Sequence, residues 1–384
     1  MPELRKRPSG LARTWIAVLA LAAISLVPAA PAAAGVPANF WGASPQATPS
    51  VEQFQRLGSG GVDSVRIPIG WSSIQPASGG PADFSSVDPL VSGAAQAGIE
   101  VLPFVYNAPS WAVPAAVVPG SHGTSVAPKF LPVRSGFQRR AWAGFLKLVV
   151  GRYGPKGSFW AENPGLAKRP VRTWQIWNEE NFKYFVVRPS PAEYGKLVKA
   201  SYSAIKSVDP GARLILGGMF AWPNEARFKR KPKQAYYAAD FLGELYRTTP
   251  GIKRKFAGVA LHPYTSKYQR LTPAIEEFRK VLAANHDAGK GLWVTEIGWS
   301  SQPLDPKHNS FAKGPQGQVA QLKGAFRLFE RKRARWRLRQ VYWFSVDDQP
   351  GACNFCDGSG LFGEGFQPKP AWYAYVKFAG GSPG

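Results

Sequence analysis

Two glutamates carry the chemistry open to this chain. Glu179 closes the segment Val171-Arg-Thr-Trp-Gln-Ile-Trp-Asn178-Glu179-Glu180-Asn181, in which a β-branched, aromatic run passes straight into an acidic and amide-rich cluster. Glu296 closes a second such run, Gly291-Leu-Trp-Val-Thr-Glu296-Ile-Gly-Trp299. Two carboxyls facing one another can hold opposite protonation states, one ionised to attack and one protonated to give a proton away. That is the requirement for splitting a glycosidic bond with two acids. Glu180 is the rival for the first role, and a strand that ends one residue later exchanges it with Glu179. As it stands, Glu180 reads as an outward loop residue or a supporting partner.

The two glutamates meet only if their segments are strands whose C-terminal ends share one face. Six further strand candidates accompany them, at Asn39–Ser44, Gly61–Trp71, Ile99–Asn107, Arg213–Gly218, Phe256–Tyr264 and Gln340–Asp347. Pro68 argues that the second strand is finishing there, because proline supplies no ladder donor. Between the strands lie helical patterns at Thr48–Gly58, Val87–Ala97, Phe137–Tyr153, Pro191–Val208, Tyr236–Arg247, Pro273–Ala284 and Gln316–Arg333, and Pro370–Phe378 follows the last strand. In the third of these, Trp142, Phe145, Leu146 and Val149 fall on one face. Eight strands alternating with helices match a single (β/α)8 TIM barrel. A doubly wound open sheet is the alternative, but it wants a Gly-rich phosphate turn after the first strand, and Gly42-Ala-Ser-Pro is not one. No Walker or Rossmann pattern occurs. The Pro-, Gly- and Ser-rich stretch from Ala108 to Ser135 reads as a long loop of the kind that shapes function.

The start of the chain reads as a secretory signal over residues 1–34: Arg5, Lys6, Arg7 and Arg13, an apolar run from Trp15 to Val27, then small residues with Ala32 and Ala34 placed for cleavage. The apolar run is too short to span a bilayer comfortably, and no Cys follows it as a lipoprotein needs. The expectation is an exported, soluble chain of residues 35–384, one catalytic domain and a monomer. The net charge is +24. Removing four basic residues and Glu3 with the leader leaves +21, a surplus that attracts polyanions. A wall-associated location follows. Nucleic acid is the weaker partner, since no recognition motif accompanies the charge.

The only cysteines, Cys353 and Cys356, lie in a Gly-rich loop. In an exported chain they read as a local disulfide. A redox role lacks a thioredoxin-like context. The four histidines are scattered at 122, 262, 286 and 308, so neither a metal nor another cofactor is expected.

Trp177-Asn178-Glu179 on the fourth strand and Thr295-Glu296 on the seventh resemble the clan A glycoside hydrolases, and the likeness extends over nearly the whole mature chain. The resemblance implies retention of configuration, with Glu179 as acid/base and Glu296 as nucleophile of a covalent glycosyl-enzyme. It implies that Asn178 bonds the sugar 2-hydroxyl, that Arg66 stands near the nucleophile, and that Tyr264 of His262-Pro-Tyr264 bonds it. Trp343 resembles the clan's platform tryptophan under the −1 sugar. Within the clan, the cellulase-like family 5 and the xylosidase-like family 39 both remain open. Asn107 and Trp299 lie at strand ends too, and are expected to bind substrate. Trp71, Trp111 and Trp222 are equally able to be sugar walls or packing residues. The run Arg227-Phe-Lys-Arg-Lys-Pro-Lys233 follows the fifth strand and so falls on the catalytic face, where it can grip an anionic glycan. Lys253–Lys255 and Arg331–Arg339 precede strands and fall on the opposite face. The rival from another class is a catalytically silent carbohydrate-binding barrel held against the envelope.

Overall fold

The computed structural model describes residues 36–120, 123–127, 129–228, 233–305, 307–351 and 356–384. The expected leader, Cys353 and much of the basic run after Arg227 lie outside the described residues. All that follows concerns the unit Pro37–Gly384.

Ten strands are present among the described residues: β1 Trp41–Ser44, β2 Ser64–Gly70, β3 Glu100–Tyr106, β4 Ala116–Gly120, β5 Gly123–Ala127, β6 Thr173–Ile176, β7 Arg213–Phe220, β8 Gly258–His262, β9 Gly291–Ile297 and β10 Leu338–Phe344. Eight of them close into a barrel in the order β1-β10-β9-β8-β7-β6-β3-β2, and β1 pairs back onto β2. Every barrel pair is parallel, so all eight C-terminal ends open on one face. The chain is thus the (β/α)8 barrel that the alternation of strand and helix indicates.

Helices α1 Val51–Ser59, α2 Trp71–Ile74, α3 Asp88–Gln96, α4 Gly136–Tyr153, α5 Ser158–Glu162, α6 Pro191–Val208, α7 Ala238–Thr248, α8 Leu271–Ala284 and α9 Gly314–Trp336 lie in the crossovers, and α10 Pro370–Ala379 follows the last strand. Their starts are written in the sequence. Ser50 with Gln53, and Ser135 with Gln138, form reciprocal capping boxes. Ser190 caps α6, and Pro191 takes its first position, where no N–H is needed. Trp142, Phe145, Leu146 and Val149 of α4 are all buried, as their spacing requires.

Two details depart from the sequence reading. β2 runs two residues beyond Pro68. Its pairing with β1 covers only Ser64 and Val65, so no partner on that side calls for the missing N–H. The stretch after β3 is not all loop: β4 and β5 pair as an antiparallel hairpin outside the barrel. Its Val, Thr and Ser content was masked in sequence by the surrounding Pro and Gly. At the base of the barrel, Leu102, Ile215, Ala260, Trp293 and Tyr342 pack into one buried cluster, which fills the interior and gives the strand ends a rigid floor. Among the described residues no helix is long and apolar enough to cross a membrane.

Candidate active site

The C-terminal mouth brings six side chains together. Arg66, the third residue of β2, is 2 % exposed and donates three ways. Its Nε reaches Gln175 Oε1 at 2.8 Å, its Nη1 reaches Glu296 Oε1 at 2.8 Å, and its Nη2 reaches Asn178 Oδ1 at 2.5 Å. The guanidinium also lies 3.9 Å from the centroid of Phe104. A planar fork held by three acceptors and a ring face has one orientation. Gln175 in turn donates through Nε2 to Thr295 Oγ1 at 3.4 Å.

Glu296 sits one residue before the end of β9, and Glu179 stands just past the end of β6. The chain reaches Glu179 through two left-handed residues, Trp177 at φ 72° and Glu179 itself at φ 42°. Such values are costly for side-chain-bearing residues and persist where the surroundings enforce them. Here the Glu179 N–H donates to Gly218 O of β7 at 3.1 Å. Asn181 binds the same turn down, donating to Phe220 O and Tyr236 O and accepting from the Phe220 N–H.

His262, the last residue of β8, is fully buried between the two carboxyls. Its Nδ1 lies 2.8 Å from Glu179 Oε1 and 3.4 Å from Glu296 Oε2. Burial, aided by the Arg66 charge, pushes its pKa well below the usual value, so the imidazole is neutral. Tyr264 donates its hydroxyl to Glu296 Oε2 at 2.9 Å. Ligating atoms of Glu179, His262 and Glu296 all lie within 4.8 Å of one another. One carboxyl oxygen of each glutamate thus comes within 4.8 Å of the other, nearer the about 5–5.5 Å of a retaining pair than the about 6.5–9.5 Å of an inverting one.

The environments divide the two acids. Burial raises the Glu179 pKa well above the carboxylate range, and the charge of Glu296 adds to it. Burial raises Glu296 as well, but Arg66 and the Tyr264 hydroxyl oppose the shift. Glu179 is therefore the group that keeps a proton, and Glu296 the one stabilised as an anion. Glu179, His262 and Glu296 are also the one cluster among the described residues with the donor set of a metal site. The Arg66 guanidinium bonded to Glu296 places a fixed positive charge there, and His262 Nδ1 already faces Glu179; the set fits a proton better than a cation.

Arg66, Asn178, His262 and Tyr264 thus converge with Glu179 and Glu296 as the sequence indicates. Three other expectations change. Glu180 is not outward: it is fully buried, and neither carboxyl oxygen makes a well-formed hydrogen bond. A Cβ on Gly217 would lie 1.9 Å from its Oε2, and one on Gly218 would lie 2.0 Å from His262 Nε2. The paired glycines of β7 make room for those two side chains. Trp343 is not a platform. Side chains alternate along a strand, and Trp343 points to the helix layer, fully buried against Phe326, with its indole N–H donating to Ser359 O at 3.0 Å. The next residue, Phe344, takes the inward place, with its ring 6.4 Å from that of Tyr264. Trp299 is likewise fully buried, tilted against Trp343 and donating to Thr265 O, and Trp71 packs with Trp142 and Phe145. Neither can present a face to a sugar. Asn107 lies at the mouth, on the loop wall. Its Nδ2 donates to Ser72 Oγ at 2.7 Å, and it lines a cavity of about 230 Å³ with Tyr106, Lys129, Trp177 and Phe185. Trp111 and Trp222 keep part of their surface open.

Gln175, Phe104 and Phe344 were missed by sequence reading. The first had a signal, an amide in the middle of an otherwise apolar strand.

An eight-stranded parallel barrel is also the fold of solved glycoside hydrolases to which the chain is similar. No family model matches the chain. A β-xylosidase of Geobacillus stearothermophilus is 27% identical over 219 residues, 54% of this chain and 41% of that protein. A family 39 glycoside hydrolase from Bacteroides cellulosilyticus superposes with a TM-score of 0.63 at 20% identity, covering 89% of this chain and 63% of that one. A family 5 glycoside hydrolase from Streptomyces cattleya, solved with a mannosyl-β-1,4-N-acetylglucosamine disaccharide, gives 0.60 at 12% identity over 88% of this chain and 80% of that one. The chain spans about two fifths of the length of that β-xylosidase.

Proposed function

We propose that the chain is a retaining β-glycoside hydrolase working by double displacement. Glu179 protonates the leaving oxygen while Glu296 attacks the anomeric carbon, giving a covalent glycosyl-enzyme. Glu179, now ionised, then takes a proton from water as that water releases the sugar. The single observation that carries this reading is the closeness of the two carboxyls, with the Arg66 guanidinium and the Tyr264 hydroxyl bonded to Glu296. Asn178 is the residue for the 2-hydroxyl: its Oδ1 accepts from Arg66, leaving the amide NH2 to donate.

The relatives direct the choice of substrate toward β-xylosides first and glucosides or β-mannosides second. The positive charge and the leader-like start support an exported enzyme, with the Cys353–Cys356 pair as a local disulfide and an envelope polysaccharide as its natural substrate. The test is to incubate the protein with aryl β-xylosides, β-glucosides, β-mannosides and wall glycans, following the first-formed product by proton NMR. A β-configured first product supports the reading. An α-configured one, or no cleavage beside measurable glycan binding, removes it, the latter in favour of the silent barrel.

A further inference from the structure

A polar cavity of about 320 Å³ opens at the end of the barrel away from the glutamates. Its position follows from topology: Ser64, Glu100, Thr173, Arg213 and Leu338 line it, and these are the first residues of β2, β3, β6, β7 and β10. In a parallel barrel the strand starts and strand ends are on opposite faces. A strand of seven residues separates them by about 20 Å.

Four arginines line this cavity, Arg172, Arg213, Arg333 and Arg339, against one carboxylate, Glu100. None of the four is ion-paired among the described residues. Arg213 is steered by its Nε bond to Thr173 Oγ1 at 3.1 Å. Arg333 also lies in the last turn of α9, where a cation suits the helix end; Arg172, Arg213 and Arg339 have no such role. Stability does not call for this arrangement, because like charges gathered round a cavity repel. The N-terminal face of a barrel ordinarily serves packing.

Guanidinium forks match tetrahedral oxyanions and carboxylates alike. A surplus of three positive charges favours the more highly charged ligand, and the size falls at the lower end of small-ligand sites, about 300–1,000 Å³. Lys253 and Arg254 stand exposed just before β8 on the same face, so the positive surface continues beyond the cavity. We propose that this cavity binds a phosphate-type oxyanion carried on an anionic polymer, a second site independent of the glutamate pair. Its role is to hold the enzyme on a polyanionic matrix while the opposite mouth stays open.

The test uses the full chain, fluorescently labelled long-chain inorganic polyphosphate as probe, and a triple variant, Arg172→Gln with Arg213→Gln and Arg339→Gln. The control removes the same charge from exposed helix positions, Lys147→Gln with Lys196→Gln and Lys377→Gln. At about 150 mM salt the cavity variant is expected to bind at least about tenfold more weakly and the control within about twofold of wild type. Equal losses in the two variants, or no binding by wild type, overturn the site. Inorganic phosphate that competes as well as polyphosphate at equal phosphate-group concentration overturns the polymer assignment and leaves a free ion as the ligand. Hydrolysis of small aryl glycosides, measured alongside, stays unchanged in the cavity variant. A loss there reports damage to the fold, in which case Arg339→Gln alone, at an exposed position, decides on the same polyphosphate readout: weaker binding supports the site, and unchanged binding overturns it.

Discussion

Arg66 and Glu296 form a 2.8 Å ion pair in which the arginine side chain is 1% exposed and the glutamate 11%. The arginine is also bonded to Asn178 and Gln175, so one guanidinium fixes the proposed nucleophile, the amide next to the proposed acid, and the middle of β6. Arg66→Lys keeps the charge and loses the fork. Activity on aryl glycosides is expected to fall by about 10²-fold or more, and the melting temperature to drop, because a lysine cannot reach all three acceptors and leaves a buried amide oxygen of Gln175 or Asn178 unbonded, at about 1–3 kcal/mol. Kinetics and a thermal melt on the same preparation check this; activity within about threefold of wild type contradicts it.

Tyr264 separates the two ionisations. Its hydroxyl bond to Glu296 opposes the rise that burial imposes on that carboxyl. In Tyr264→Phe the Glu296 pKa is expected to climb, so the acidic limb of the kcat/KM profile moves to higher pH. The basic limb, where Glu179 loses its proton, lies above the ordinary carboxyl range in both proteins. A pH profile from 4 to 9 reads both limbs. An acidic limb that stays in place or moves down contradicts the assignment of Glu296 as the ionised partner.

Glu180 is buried with its pKa pushed up to about 8, chiefly by desolvation. The unfolded chain releases this proton near the usual value of 4.5, whereas the folded chain keeps it. Below 4.5 both states hold it and there is no penalty; above that the folded state binds more protons, so stability falls as pH rises until about 8. Glu180→Gln removes the penalty. Its melting temperature relative to wild type is expected to rise between pH 4.5 and pH 8, by an amount worth at most a few kcal/mol. A difference that is flat across that window rules out a buried, protonated Glu180.

Neighbouring aromatics on β10 are expected to part company when truncated. Trp343→Ala opens a cavity in the helix-facing layer and lowers stability by about 3–5 kcal/mol. Phe344→Ala acts at the mouth, raising KM or lowering kcat for small aryl glycosides with a smaller loss of stability. Melts and kinetics on both variants distinguish them; the reverse pattern would restore Trp343 as the platform.

The fold and the meeting of Glu179 with Glu296 at its mouth were legible in the sequence for one reason. Parallel strands buried on both faces read as short apolar runs, and a charged residue at the end of such a run has few places to be. Arg66, Asn178, His262 and Tyr264 followed because each also sits where a strand ends or in its inward register. Trp343 and Phe344 show the limit. Both are aromatic and adjacent, and a shift of one residue exchanges the inward and outward faces, which only the packing against Phe326 and Tyr264 decides. Glu180 shows another limit: a carboxyl after a strand looks solvated in sequence, and the room that buries it comes from Gly217 on a different strand. Of the arginines round the cavity at the strand starts, only Arg333 and Arg339 stood out in sequence, in the run Arg331–Arg339, because Arg172 and Arg213 are far from it in the chain.

The central assignment, Glu179 as acid/base and Glu296 as nucleophile, is tested most directly by azide rescue of Glu179→Ala and Glu296→Ala on an aryl β-glycoside with an activated leaving group. Glu179→Ala is expected to form the glycosyl-enzyme, lack the base that activates water, and recover turnover with azide to give the β-glycosyl azide. Glu296→Ala is expected to be inactive without azide and to give the α-glycosyl azide with it. The opposite anomers from the two variants, or a β-azide from Glu296→Ala, contradict the assignment.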